Sequence, residues 1–113
     1  MTARHLPGAD KALVEQRRIV EYLLNATHRE GGPKAKFFLK RGFAIASWVS
    51  FADALVAHAK NNLVASVSED KWGVRYRVEC NLQTPDGLNP CIRAVWLMEK
   101  GAKIPRLITA HPF

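Results

Sequence analysis

The polar and apolar positions of this chain change their rhythm once, and the change divides it into two halves. In the first half apolar residues recur every three or four positions. From about Asp10 to Leu24, the residues Leu13, Val20 and Leu24, with Ile19 and Leu23 beside them, share one helical face, and Glu15, Arg17, Arg18 and Glu21 take the other. A polar connection, Asn25 to Gly32, follows with Thr27, His28 and a Gly-Gly pair. A second helix is predicted from Pro33, placed as a first helical residue, to Gly42, placed as a stop. In it Ala35, Phe38 and Leu39 face the core, with Lys34, Lys40 and Arg41 outward. A third helix starts at Ser50 as N-cap, with Asp53 three residues on, and its stripe Phe51, Leu55 and Ala59 continues to Lys60.

After Asn61-Asn62 the period falls to two. Leu63 to Ser68 reads as a strand, and Glu69-Asp70-Lys71 with Trp72-Gly73 as a turn. Val74, Tyr76, Val78, Cys80 and Leu82 then alternate with Arg75, Arg77, Glu79 and Asn81, the pattern of a strand with one solvated face. Thr84-Pro85-Asp86-Gly87 is a turn, because proline presets one φ and glycine accepts a positive one. Cys91 to Met98 is apolar on both faces apart from Arg93, as a central strand is, and a last strand runs from Arg106 to His111. The predicted class is therefore α+β: about three N-terminal helices packed on one face of a four-stranded antiparallel meander sheet, in one domain spanning 1–113.

Composition agrees with that class. With 113 residues, 48 % of them hydrophobic, the chain can bury one modest core. No apolar run approaches the roughly 20 residues of a membrane span. Residues 1–7 carry no apolar signal region, so the expected place is the cytoplasm. A toxin domain delivered there from a larger secreted protein reads the same way. Cys80 and Cys91 flank a hairpin loop and either face each other across two strands or, as expected in a cytosolic chain, stay free and buried.

Charge changes the picture more. Seventeen Lys and Arg against ten Asp and Glu leave a net charge of +7, which favours a polyanionic partner through counterion release. The acidic residues are dispersed, with no couple spaced to hold a metal, and the two cysteines and scattered histidines make no ligand set. Neither a glycine-rich phosphate loop nor a serine nucleophile elbow is present. The reading therefore assigns no metal and no cofactor, and any phosphoryl chemistry falls to His, Lys, Arg and hydroxyl groups.

Cutting RNA with such groups needs a base for the 2′-hydroxyl proton, an acid for the leaving 5′-oxygen, and cations or donors around the phosphorane. His28 sits in the Gly-rich loop before a helix whose N-terminus, near Lys34, attracts anions; the alternative is an exposed loop histidine. Arg75 and Arg77 share one strand face beside Arg93, either as phosphate ligands or as an ordinary solvated surface. Thr109 and His111, two apart, point to one side, and Arg106 points to the other unless a bulge re-aims it. His58 reads as a capping or half-buried residue and His5 as part of a flexible tail. Trp96 reads as core, and Trp72 stays open between core and base stacking.

Leu23-Leu24-Asn25, His28, Gly31, Lys34-Ala35 and Phe37-Phe38 resemble a signature of small bacterial proteins that form a family of domains of unknown function. Gly73-Val74-Arg75-Tyr76, Thr84-Pro85-Asp86-Gly87, Arg93 to Trp96 and Pro105-Arg106-Leu107 continue the likeness over most of the chain. That family's habit of standing alone or ending larger bacterial toxins, sometimes beside a small partner gene, implies a toxin with an acidic immunity protein or antitoxin. The helices-then-sheet order and the closing Arg106-Leu107-Ile108-Thr109-Ala110-His111-Pro112 also resemble barnase and colicin-type ribonucleases. This resemblance implies metal-independent cleavage of RNA, often tRNA, on the open sheet face. Where that group commonly has tyrosine before the final proline, this chain has His111, which leaves its role as catalyst or aromatic filler open.

The expected function is thus an endoribonuclease of bacterial toxin type, with His28, Thr109 and His111 catalytic and Lys34, Arg75, Arg77, Arg93 and Arg106 binding RNA. The rivals are a basic nucleic-acid-binding module without catalysis and a protein-interaction module that uses its charge against an acidic partner.

Overall fold

The change of rhythm at Asn61-Asn62 is the boundary between a helical layer and a sheet. The computed structural model describes residues 4–113; Met1, Thr2 and Ala3, part of the segment read above as lacking a signal, lie outside them. Helix α1 is one α-turn, Gln16–Arg18, continued by a π-helical turn, Ile19–Leu23. Helix α2 is Gly32–Lys40 and α3 is Trp48–Asn61. Four strands follow: β1 Val64–Asp70, β2 Gly73–Asn81, β3 Cys91–Glu99 and β4 Arg106–Pro112. Each pairs antiparallel with the next, in the order β1-β2-β3-β4. The fold is the α+β meander that the pattern predicted.

Three boundaries differ from expectation, for local reasons. The first helix starts at Gln16 rather than near Asp10, because the outer edge of β4 captures the preceding segment. Leu13 N donates to Pro105 O at 2.8 Å and Leu107 N donates to Leu13 O at 2.9 Å, a parallel bridge that leaves the Leu13 side chain exposed. Helix α3 begins two residues before Ser50, after a 3-10 turn Ile45–Ser47 and without a side-chain cap. Strand β1 runs on to Asp70, which accepts Trp72 N at 2.8 Å, so only Lys71 and Trp72 form the turn. The next residue must be glycine: Gly73 has φ +146, and a Cβ there would collide with the Met98 carbonyl oxygen.

Alternation decides which face of the sheet is covered. Tyr76 and Val78 on β2, Ile92, Ala94 and Trp96 on β3, and Leu107 and Ala110 on β4 are buried beneath Ile19, Leu23, Phe38, Phe51 and Leu55 of the helices. Trp96 is core, as read from the sequence, with no exposed surface. Cys80 breaks the alternation: its φ is +139 and it turns outward instead of joining Val78 and Leu82. Both cysteines are free, but the expected burial is not borne out: Cys80 is exposed and Cys91 half-buried. Strand β1 is exposed along most of its length, so the β1–β2 ribbon projects beyond the helices.

Phe51 lies at the middle of the helical layer, its ring 4.8 Å from Phe38 and 4.4 Å from Phe43. We expect Phe51→Ala to cost about 3–5 kcal/mol in a denaturant titration, the range for emptying a packed aromatic site. His58 is also buried: its Nε2 bonds the Cys80 carbonyl oxygen at 2.9 Å, while Nδ1 has no hydrogen-bond partner among the described residues. Burial lowers its pKa, since the imidazolium would be desolvated. The unfolded chain takes up this proton near its ordinary value of about 6.5, so below that pH the unfolded state holds more protons. Stability should be full above about pH 6.5 and fall as the pH drops toward the lower folded value. Urea midpoints measured from about pH 7.5 to 5.5 should show this slope, and His58→Gln should flatten it.

Candidate active site

The π-helical turn sets up the site. Leu24 N reaches back to Ile19 O at 2.7 Å, a five-residue step that keeps Ile19, Leu23 and Leu24 in the core together. Tyr22 is left pointing off that face toward β4. There its Oη lies 3.0 Å from Thr109 Oγ1. Lys34, in the first turn of α2, donates from Nζ to Tyr22 Oη at 2.8 Å and to Thr109 Oγ1 at 3.2 Å. One ammonium, one phenol and one hydroxyl from three separate elements thus share a single hydrogen-bonded cluster.

Thr109 owes its position to a β-bulge. In β4, Leu107 pairs with Trp96 and Thr109 with Val95, which leaves Ile108 as the extra residue. The shift also resolves the direction of Arg106. Its partner is Leu97, those of Thr109 and His111 are Val95 and Arg93, and all three β4 side chains therefore lie on the side of the sheet away from the buried row Ile92, Ala94 and Trp96.

His28 stands beside the cluster, its ring centroid 5.0 Å from that of Tyr22 in an edge-on arrangement. The loop fixes its tautomer. Nδ1 accepts the backbone N–H groups of Glu30 at 3.0 Å and Gly31 at 2.9 Å, so a neutral ring carries its proton on Nε2. Gly31 is needed for this packing, because a Cβ there would come within 2.6 Å of the Tyr22 ring. Arg17, Arg18, Glu21, Tyr22 and His28 line an open cleft of about 400 Å³.

Partial burial works to raise the Tyr22 pKa, but it is outweighed. Hydrogen bonds from Lys34 and Thr109 and the positive charges of Lys34 and Arg18 hold the phenol below the ordinary tyrosine value. Among the described residues, no three His, Cys, Asp or Glu side chains converge into a metal-holding group.

Of the residues picked from the sequence, the structure brings His28, Lys34 and Thr109 together, with His111 two residues along the same strand. Lys34 points into this cluster rather than outward. The arginines share the open face but sit in ion pairs: Arg75 with Asp70 at 2.8 Å, Arg93 with Glu79 at 2.6 Å, and Arg106 with Glu99 at 2.7 Å and Glu15 at 3.5 Å. Arg77 instead donates to Ser68 Oγ at 3.1 Å and has no carboxylate partner among the described residues. The pairs to the exposed carboxylates Asp70 and Glu99 are worth about 1 kcal/mol or less, so a phosphate can compete for Arg75 and Arg106, whereas the Arg93–Glu79 pair is partly buried. Sequence reasoning missed Tyr22 and the cleft arginines Arg17 and Arg18. The available signal was Arg18 and Tyr22, four apart on the polar side of α1.

The fold and cluster define a basic α+β domain with a cation–phenol–hydroxyl site at its sheet edge. The chain belongs to the DUF6883 family, a domain of unknown function, whose model matches residues 5–113. No protein of curated function matches its sequence. Among solved structures it is similar to a chain of a contact-dependent growth inhibition toxin–immunity protein complex from Klebsiella pneumoniae 342. The two share 19 % identity at a TM-score of 0.71, over 90 % of this chain and 100 % of that one. At that identity the likeness concerns the fold. No single helix among the described residues is long and apolar enough to cross a membrane.

Titration of phenolate absorbance tests the cluster directly. One of the two tyrosines should ionise below the ordinary value, and Tyr22→Phe should remove that transition. Lys34→Met should move it upward, because it deletes a donor and a positive charge. A parent protein with no early transition would contradict the geometry.

Proposed function

We propose that this domain is a toxin-type endoribonuclease that cleaves RNA by attack of a 2′-hydroxyl on the neighbouring phosphorus, without a metal. The observation that carries the reading is the Lys34–Tyr22–Thr109 cluster, closed by contacts of 2.8 to 3.2 Å beside His28. It offers a cation, an acidified phenol and hydrogen-bond donors at one point of a chain with net charge +7. The likeness to a chain of a toxin–immunity complex supports the toxin class. It also favours a small acidic immunity protein or antitoxin as partner and the cytoplasm as the place of action. RNA, with tRNA among the candidates, is the substrate that the charge favours.

The roles follow from the hydrogen bonding. Tyr22, acidified by Lys34, takes the 2′-hydroxyl proton. Lys34 then holds the negative charge that builds on the phosphorane, and Thr109 bonds a non-bridging oxygen. His28, with Nδ1 engaged by two backbone N–H groups, presents Nε2–H as a second donor to the phosphate, which favours Tyr22 over His28 for the base. His111 lies about 7 Å along the strand from Thr109, at two residues of strand rise on the same face. It gives its proton to the leaving 5′-oxygen. Arg77, the exchangeable arginines Arg75 and Arg106, and Arg93 hold flanking phosphates.

Inducible expression in a bacterial host tests this reading. The parent should arrest growth and fragment RNA, whereas His28→Ala, Lys34→Ala and Thr109→Ala should each slow cleavage by about 100-fold or more, the usual loss for one positioned donor or proton-transfer group. Intact RNA and normal growth, with the parent soluble and folded, would reject the enzyme in favour of a basic binding module. Retention of nucleic acid that weakens steeply with salt would then mark that module.

A further inference from the structure

Trp72 takes no part in the core or in the cluster above, yet it is 60 % exposed at the tip of the β1–β2 turn. The tip is held in place. Trp72 N donates to Asp70 Oδ1 at 2.8 Å, and Trp72 O accepts Lys100 N at 3.2 Å, which ties the turn to the β3–β4 loop. Lys71 Nζ lies 5.1 Å over the indole ring. Lys100 and Lys103, from the tied loop, are exposed at the same end of the sheet. Of the carboxylates there, Asp70 is engaged by Arg75 and Glu99 by Arg106, which leaves Glu69 against three lysines.

We propose that Trp72, with Lys71, Lys100 and Lys103, is an anchor for single-stranded RNA that stacks one base on the indole and neutralises the phosphates beside it. The proposal rests on the ribonucleolytic reading and adds the point where the substrate strand is held away from the cut. The register supplies the path. From Thr109 the open face crosses Val95 to Arg77, and Arg75 and then Gly73 follow along β2 to Trp72. Four residues of strand rise, from Arg77 to Gly73, and two strand spacings put Thr109 about 17 Å from Gly73, the residue next to Trp72, within the span of a few nucleotides.

A rigid indole flanked by flexible cations suits a base and its phosphates. A protein hot spot needs an apolar ring to exclude water, and here Lys71 lies over the indole and Lys100 and Lys103 are exposed at the same end of the sheet. Stacking on an aromatic face also tolerates any base. It therefore adds grip without fixing the target sequence.

The test uses the full chain and a probe of about ten 2′-O-methyl nucleotides, which lacks the attacking hydroxyl and so binds uncut. By fluorescence anisotropy, Trp72→Ala should weaken binding about tenfold, the usual scale for one stacked base, and Trp72→Phe should recover most of the loss. Replacing Lys71, Lys100 and Lys103 together by alanine should reduce the salt slope of log K by about 2. Equal binding by parent and Trp72→Ala overturns the anchor, and if the parent still cuts unmodified RNA the ribonuclease reading stands. Failure of the parent to hold the probe overturns the anchor as well, and both readings fall if it also leaves RNA intact. If Trp72→Ala spares RNA binding but loses an acidic protein partner, the tip is a protein contact and the anchor is wrong.

Discussion

Every helix of this protein is packed on one side of one sheet, and that single-sided burial organises the rest. Trp96 at the centre of β3 has no exposed surface and is covered by the Phe38 and Phe51 layer. Because side chains alternate along a strand, burying this row forces Arg75, Arg77, Arg93 and, after the bulge, Arg106, Thr109 and His111 onto the opposite face. The basic character of the chain is thereby spread over a surface that the fold leaves uncovered. The same packing brings α1 and the start of α2 against β4, where Tyr22 and Lys34 meet Thr109.

The site draws on two irregularities, a π-helical turn in α1 and a β-bulge at Ile108. Each inserts one residue into a regular ladder and re-aims the side chains beyond it. Without the bulge, Arg106 would turn to the core side. Such features carry no simple pattern in a sequence, because a one-residue shift preserves composition and almost preserves period. Gly31 adds a steric condition, since its missing side chain is the space in which the Tyr22 ring sits.

Much of the fold was legible because burial follows period. The switch from helical to strand spacing, the punctuation of α2 by Pro33 and Gly42, and the two-faced pattern of β2 all reflect which side chains meet the core. The start of α1 was misread since Leu13 fits the helical stripe, but β4 claims its backbone, and no local rule reports that tertiary bridge. At the site, His28, Lys34 and Thr109 stood out by residue type and position. Tyr22 did not, because a tyrosine beside Leu23 and Leu24 is ordinarily core; its place depends on the π-turn. The ion pairs of Arg75, Arg93 and Arg106 depended on strand register, which fixes Glu79 beside Arg93 and becomes visible only once strands are paired.

The proposed chemistry requires that the chain's own side chains suffice to drive attack of the 2′-hydroxyl. The most direct measurement is incubation of purified protein with RNA, and with the same sequence as DNA, in the presence of a metal chelator, followed by analysis of the fragment ends. RNA fragments ending in 2′,3′-cyclic phosphate and untouched DNA are the expected result. Cleavage of the DNA, dependence on added divalent metal, or intact RNA from a folded protein would contradict it.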